Sequence, residues 1–380
     1  MQREEFRKLL HRYADGTCTK AEKRFLEEMV LRDPIVDNWL WESEEARVLM
    51  GIRIRQAIDK RRYISKSSSR SMRLWYGGVA ASLLAVFGLL WSVSEKKDVK
   101  EKSLVISETA SYPSDGIRLT LADGSVVGLD GLQQGLVNHT GGVDIRKLDG
   151  GELVYEKSLD SKSEVGPEAM AQNTLHVPNG KQFKLVLPDG TNVWMNTATT
   201  LTYPVAFTGS ERKVVLDGEA YFEVMPDRSK PFKVMAQGRE ITVTGTHFTV
   251  SAYASDDEVR TTLLEGGVDV RHQGKMLSLI SGFEAVSSAD GNLVKRQGNM
   301  ERAMAWKNGY FLFDDMDVIS VMRSVARWYD VRIVIEANLP KKRFGGSFPI
   351  TAGIDELLAD LELVSKVKFK RNGKEVRMIW

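Results

Sequence analysis

The chain has 380 residues, 27% charged and 42% hydrophobic, with 53 basic and 51 acidic side chains for a net charge of +2. This length allows two or three domains, and the ordinary composition excludes wholesale disorder. A lone cysteine, Cys18, excludes an internal disulfide framework and multi-cysteine zinc or iron–sulfur sites.

Residues 1–62 read as three helices. The first presents Phe6, Leu9, Leu10 and Tyr13 on one face and stops at Asp15-Gly16. Thr19 followed by Glu22 forms a capping box that opens the second, with Phe25, Leu26, Met29 and Val30 on its apolar face. Pro34 restarts the chain, and Ala46, Leu49, Met50, Ile54, Ala57 and Ile58 extend an apolar stripe. Three short helices bury little surface. Trp39 and Trp41 therefore serve equally well as core or as a docking face for a partner.

Between 53 and 73 stand eight basic residues against the single acid Asp59. From Leu74 to Ser94 no residue is charged, and 21 residues at about 1.5 Å each cover the roughly 30 Å core of a bilayer. Trp75 and Tyr76 at one end and Trp91 at the other suit the two interfaces as membrane anchors. A signal peptide would stand at the N-terminus rather than at position 74. The basic excess on the N-terminal flank predicts a single-pass membrane protein with its N-terminus in the cytoplasm and its C-terminal part on the far side of the membrane. Divided there, residues 1–73 carry 17 basic and 12 acidic groups, and residues 95–380 carry 36 and 39. Anionic lipid next to the span accounts for the basic run without DNA, so direct nucleic-acid contact is not expected.

Beyond the span, short strands alternate with turn signals. IRLTLADGSVVGLD (117–130) and FKLVLPDGTNVWMN (183–196) align without gaps, each reading as strand, Asp-Gly turn and strand. Further strands are expected at Lys213–Leu216, Ala220–Val224, Glu240–Thr244, Phe248–Ala252, Arg260–Leu264 and Val268–Arg271. No helical periodicity of useful length stands between 100 and 310, which predicts an all-β domain of repeated hairpins. From Gly309 the pattern becomes strand (GYFLF), helix capped by Asp317 with Val318, Met322, Val325 and Tyr329 in register, then strand (331–336). A second helix with Ile354, Leu357, Leu358 and Leu361 follows RFGGSF and precedes strands near Val367–Lys370 and Val376–Ile379. Strand-helix-strand thus occurs twice, a compact α/β module. The fold class is a multi-domain membrane protein: a small N-terminal helical bundle (1–73), one transmembrane helix (74–94), an all-β domain (95–305) and a C-terminal α/β module (306–380).

There is no GxSxG elbow, Walker A loop or HExxH motif. Glu219, Glu223 and Glu265 have no convergent partner in the sequence, and neither an enzyme, a cofactor nor a metal site is expected.

Several segments together resemble one family. VPNGKQFKLVLPDGTNVWMN, TYP (202–204), RKVVLDGEAYFEV (212–224), KPF (230–232), VTGTHFTVSAY (243–253) and TTLLEGGVDV (261–270) resemble the FecR family of membrane-anchored anti-sigma regulators. WKNGYFLF (306–313) and VARWYDVRIVI (325–335) resemble the C-terminal STN-like module of its Bacteroidetes-type members. The resemblance runs from about residue 170 to the end. It departs at Leu279-Ile280-Ser281-Gly282, where the family usually has a proline before the glycine. It implies that the cytoplasmic helices, with Phe6, Leu10, Phe25, Trp39 and Trp41 as candidate contacts, hold an extracytoplasmic-function sigma factor. It also implies that the exported part receives a signal from the signalling domain of a TonB-dependent outer-membrane transporter. Proteolytic processing would then free the sigma factor. Some members resemble self-processing proteins that cut a Gly-Thr bond, and the matching pair is Gly245-Thr246. A threonine hydroxyl held in line can attack the preceding carbonyl, and glycine admits the strained backbone this requires. The opposing reading is that Gly245 relieves crowding and Thr246 packs.

Two other functions remain open on the sequence. A membrane-tethered DNA-binding regulator would use the basic run. A tethered carbohydrate-binding module or hydrolase would need an aromatic platform, for which Trp194 and Tyr203 are the residues to watch.

Overall fold

The computed structural model describes Thr19 and residues 104–106, 116–158, 171–335, 343–365 and 367–379. The chain divides into two units, Met1–Lys100 and Glu101–Trp380, and every described residue but Thr19 lies in the second. The helices expected over 1–62, the basic run and the uncharged run 74–94 lie outside the described residues. Among the described residues no helix is long and apolar enough to cross a membrane.

Alternating burial along the strands makes two sheets that share one core. In spatial order the first runs Val126–Gly128, Arg118–Thr120, Gln172–Val177, Thr199–Pro204, the first half of Arg212–Glu223, Phe232–Ala236, Arg239–Val243, Gly267–His272 and Lys275–Ile280. The second begins with Gly135–Thr140, Val143–Lys147, Leu153–Lys157, Phe183–Val186 and Asn192–Met195. It continues with the second half of Arg212–Glu223, then His247–Ala252, Glu258–Glu265, Phe283–Ser288 and Leu293–Gln297. Residues on the inward faces, among them Leu119, Leu175, Leu185, Phe222, Phe232 and Phe248, are fully buried in that core. Each such side chain contributes about 1.5–3 kcal/mol of burial.

The sequence suggests separate strands at 213–216 and 220–224; the structure makes them one 12-residue strand, Arg212–Glu223, that serves both sheets. The change of sheet falls at Gly218. Its φ is +116°, and a Cβ there would lie 2.5 Å from the Thr199 hydroxyl oxygen, so the crossing requires glycine.

The aligned hairpins form the same turn twice. The Leu121 amide donates to Ser125 O and the Gly124 amide to Leu121 O; Leu187, Thr191 and Gly190 repeat this. Asp123 and Asp189 accept from the amide two residues on, at 2.8 and 3.0 Å. Glycines at φ +84° and +83° close three-residue loops of the bulged kind. Two further copies, at Leu148–Glu152 and Ser288–Asn292, have the same pair of backbone bonds and escape a reading by sequence alignment.

A five-residue helix, α1 (Met300–Met304), follows the β-domain, where no helical pattern is expected before 310. The C-terminal module then runs strand Tyr310–Asp317, helix α2 (Val318–Tyr329), strand Arg332–Ile335, strand Arg343–Pro349, helix α3 (Ile354–Ser365) and strands Lys368–Asn372 and Glu375–Ile379. Asp317 caps α2 as its sequence predicts, accepting from the Ser320 amide at 3.0 Å. Val318, Met322, Val325, Ile354, Leu357, Leu358 and Leu361 all point into a separate, smaller core. Among the described residues, strands 310–317 and 343–349 pair only with each other. The remaining three make a sheet whose fourth strand is Leu104–Ile106, antiparallel to Arg332–Ile335. A segment counted with the β-domain by sequence position thus pairs in the last module's sheet.

Candidate functional site

Three places in the second unit bear on function: the Gly245-Thr246 bond, the seam between the β-domain and the C-terminal module, and the cleft along that seam.

Gly245 and Thr246 join strands Arg239–Val243 and His247–Ala252. Backbone bonds hold the joint on both sides, from the Val224 amide to Thr246 O at 3.0 Å and from the Asp227 amide to Thr244 O at 2.8 Å. Gly245 has φ +151°, and a Cβ on it would lie 2.8 Å from Pro226 Cα. Gly266 packs over the bond itself, since a Cβ there would sit 2.9 Å from both Gly245 O and Thr246 Oγ1. Thr246 is buried and its hydroxyl donates to Gly267 O at 3.0 Å. A carbonyl oxygen orients that hydroxyl but cannot remove its proton. The neighbouring His247 is half-exposed and pairs through Nδ1 with Glu265 at 3.3 Å, while Glu223 stands opposite it across the ladder. The joint is therefore tightly enclosed and its hydroxyl fixed.

The seam is built on the C-terminal end of α2. The Arg327 carbonyl accepts from the Gly180 amide at 3.0 Å and from the Thr197 hydroxyl at 3.0 Å. The Arg327 guanidinium donates to Asp256 at 2.9 Å and lies 3.9 Å from the Tyr253 ring centroid. Asn179 donates to Asp330 at 2.9 Å, and Lys374 holds the same carboxylate from the far side. These partners keep the Asp330 carboxyl below its ordinary value, the Lys374 bond first among the causes. Asp330 closes α2 at φ +50°, the left-handed cap position. An Asn-Gly turn of the β-domain thus caps a helix end of the module.

Along the seam runs a cleft of about 470 Å³. On its β-domain wall Glu284, 1% exposed, accepts from Arg296 at 2.6 Å and from Arg302 at 3.2 Å. Glu219 also lines it, accepting from Asn196 at 2.8 Å; desolvation pushes its carboxyl above the ordinary value. A single raised carboxyl offers a proton but no partner placed for acid–base work. Among the described residues no three His, Cys, Asp or Glu side chains gather as metal ligands.

The two aromatics expected as a platform part ways. Tyr203 is fully buried, edge-on to Tyr155 with the hydroxyls 3.0 Å apart and Asn173 donating to Tyr155 at 2.7 Å. It is core, not platform. Trp194 tilts against Tyr221 at 5.4 Å, with the ammonium groups of Lys184 and Lys307 at 5.2 and 4.5 Å from its ring. Phe6, Leu10, Phe25, Trp39, Trp41, Trp75, Tyr76 and Trp91 lie outside the described residues. The seam residues Asn179, Asp256 and Arg327 were not legible as sites, because they stand far apart in the chain and carry no motif.

Comparison with known proteins agrees with this two-part body. A family model described as FecR protein matches residues 173–269, and one described as FecR, C-terminal, matches residues 310–378. No curated protein matches. Two crystal structures of a candidate anti-sigma factor from Parabacteroides distasonis ATCC 8503, at 1.65 and 2.50 Å resolution, are similar at 25% identity and a TM-score of 0.52. They cover 54% and 55% of this chain and 98% of their own.

Proposed function

Because the chain belongs to the FecR family of anti-sigma factors, we propose that it holds an extracytoplasmic-function sigma factor at the inner membrane and releases it on a signal from outside. Residues 1–73 bind the sigma factor, with Phe6, Leu10, Phe25, Trp39 and Trp41 as contacts. Residues 74–94 cross the membrane, anchored by Trp75, Tyr76 and Trp91. The β-domain and C-terminal module lie in the periplasm, where the signalling domain of a TonB-dependent outer-membrane transporter acts on them. The anchor turns an external binding event into a shift between bound and free sigma factor.

The observation that carries this reading is the order of parts: a two-core body matched by both family models, preceded by an uncharged run of 21 residues with eight basic residues on its N-terminal side. Co-purification tests it. Full-length protein should retain a sigma factor encoded beside it, and Phe25→Ala or Trp39→Ala should release that partner. If neither protein nor variant retains any adjacent sigma factor, while residues 1–73 bind DNA with a steep salt dependence, the tethered DNA-binding reading replaces it.

Processing between Gly245 and Thr246 is part of the proposal. Its support is the enclosed joint and the positive φ of Gly245. The Thr246 oxygen attacks the Gly245 carbonyl, and the C–N bond breaks with the hydroxyl proton passing to the Thr246 nitrogen. Water then hydrolyses the resulting ester to a Gly245 carboxyl and a free Thr246 hydroxyl. A fragment pair on a denaturing gel, lost in Thr246→Ala, is the expected result. Intact wild-type chain throughout signalling would remove this step.

A further inference from the structure

The three strands that the C-terminal module itself supplies to its sheet have two edges, protected by different means. At one edge, Lys368–Asn372 exposes Lys368, Lys370 and Arg371, and like charges along an edge deter any incoming strand. At the other, Arg332–Ile335 is apolar on both faces: Ile333, Val334 and Ile335 are 0%, 8% and 1% exposed. Only Arg332 is charged there, and one residue at the strand end guards little. What closes this edge is Leu104–Ile106, paired as Leu104↔Ile335, Val105↔Val334 and Ile106↔Ile333.

That closure is the shortest ladder of the sheet, three residue pairs against four between Arg332–Ile335 and Glu375–Ile379 and five between the last two strands. It is also supplied from more than two hundred residues away, by a segment about ten residues after the uncharged run 74–94. A strand so short and so remote is the part of the sheet most readily lost. Once it leaves, backbone N–H and C=O groups of an apolar strand are free, and free edges of this kind bind extended peptides by strand addition.

We propose that the Arg332–Ile335 edge is a strand-acceptor site, filled in cis by Leu104–Ile106, which takes up an extended apolar peptide strand from a partner protein when the resident strand withdraws. The partner strand runs antiparallel and is uncharged at the positions facing Ile333 and Ile335, as Leu-Val-Ile is. Its setting during signalling rests on the function proposed above; the edge and its exchange do not.

The test uses the full-length chain with Cys18→Ser, so that introduced cysteines are the only thiols. Val105→Cys with Val334→Cys places two cysteines directly opposite, within disulfide reach. Oxidation should give a cross-linked species of altered mobility on a non-reducing gel. The probe is a fluorescent peptide of residues 102–108. It should bind the Leu104→Pro, Val105→Pro, Ile106→Pro variant, which lacks the resident strand's N–H groups, at least about tenfold more tightly than the parent, a difference of about 1.4 kcal/mol. The oxidised cysteine pair should not bind it, and reduction should restore the parent's level. Equal binding by all forms, or no cross-link under oxidation, overturns the proposal. If the proline variant does not fold, the cysteine pair decides by cross-linking and by loss of peptide uptake on oxidation. Neither readout involves a sigma factor, so failure of sigma binding leaves this result standing, and the reverse.

Discussion

The β-domain and the C-terminal module reach stability by opposite routes. In the β-domain most neighbouring strands are also neighbours in sequence, four near-identical turns fold them back, and one long strand ties both sheets round a single core. Among the described residues the module has half as many buried core residues; it draws one sheet strand from a distant segment and leans on the β-domain through Arg327. A body of local hairpins can close on itself, whereas a small α/β unit with non-local strands needs help from outside its own sequence. The module is therefore expected to open at lower free energy than the β-domain.

The hardest test of that contrast is to empty each core in turn. Phe222 stacks on Phe248 at 5.1 Å and is fully buried, so Phe222→Ala should cost about 3–5 kcal/mol. Leu361→Ala in the module should cost about 2–5 kcal/mol. Native-state hydrogen exchange should show protection lost in both regions for Phe222→Ala, and in the module alone for Leu361→Ala. Loss everywhere in both variants would mean one cooperative body and end that contrast.

Next in size is the seam. Arg327→Ala removes a charged hydrogen bond and the contact with Tyr253, at a cost of about 1.5–3 kcal/mol. Urea denaturation of Arg327→Ala, Asp256→Ala and the double variant should give a coupling of about 0.5–3 kcal/mol. Coupling near zero would leave the docking to the Asn179–Asp330 bond and the bonds to the Arg327 carbonyl.

A smaller effect belongs to Glu219. Desolvation raises its folded-state pKa above the ordinary value of 4.5, so between those two values the folded chain binds more protons than the unfolded chain. Stability contributed by the protonated form is present below pH 4.5 and lost as pH rises through the raised value. Glu219→Gln cannot ionise. Its advantage over the parent in urea denaturation should be absent at low pH and grow above pH 4.5. A difference that does not change with pH would place Glu219 in a solvated setting.

The least consequence is expected at the module's surface, where Arg371 and Asp355 pair at 2.7 Å with both side chains well exposed. Arg371→Ala should change stability by less than about 1 kcal/mol, and salt should reduce even that. A larger loss would mean that the charged edge strand is structural rather than protective.

Much of this body is legible from residues close in sequence. Leu119 and Leu185 announce the same hairpin because alternation and an Asp-Gly turn are local facts. Val318, Met322 and Val325 announce α2 because a helix repeats every 3.6 residues. The turns at Leu148 and Ser288 escaped notice because their flanks differ while the backbone geometry is the same. The strand break expected near Gly218 was a bend, since glycine signals positive φ without saying whether pairing stops or changes sheet. The surroundings of Thr246 were not legible at all, since Pro226, Gly266 and Gly267 come to it from segments about twenty residues away.

The sequence by itself determined the uncharged run 74–94 and its basic flank, the change from strands to strand-helix-strand near Gly309, and the likeness to the FecR family. Each of these rests on composition or on a period read along the chain. Only the tertiary structure decided that Tyr203 is core, that Asn179 and Gly180 cap α2 beside Arg327, and that Leu104–Ile106 completes a sheet more than two hundred residues away. Such pairings are chosen by register, burial and loop closure among many distant partners, and no local pattern of residues records that choice.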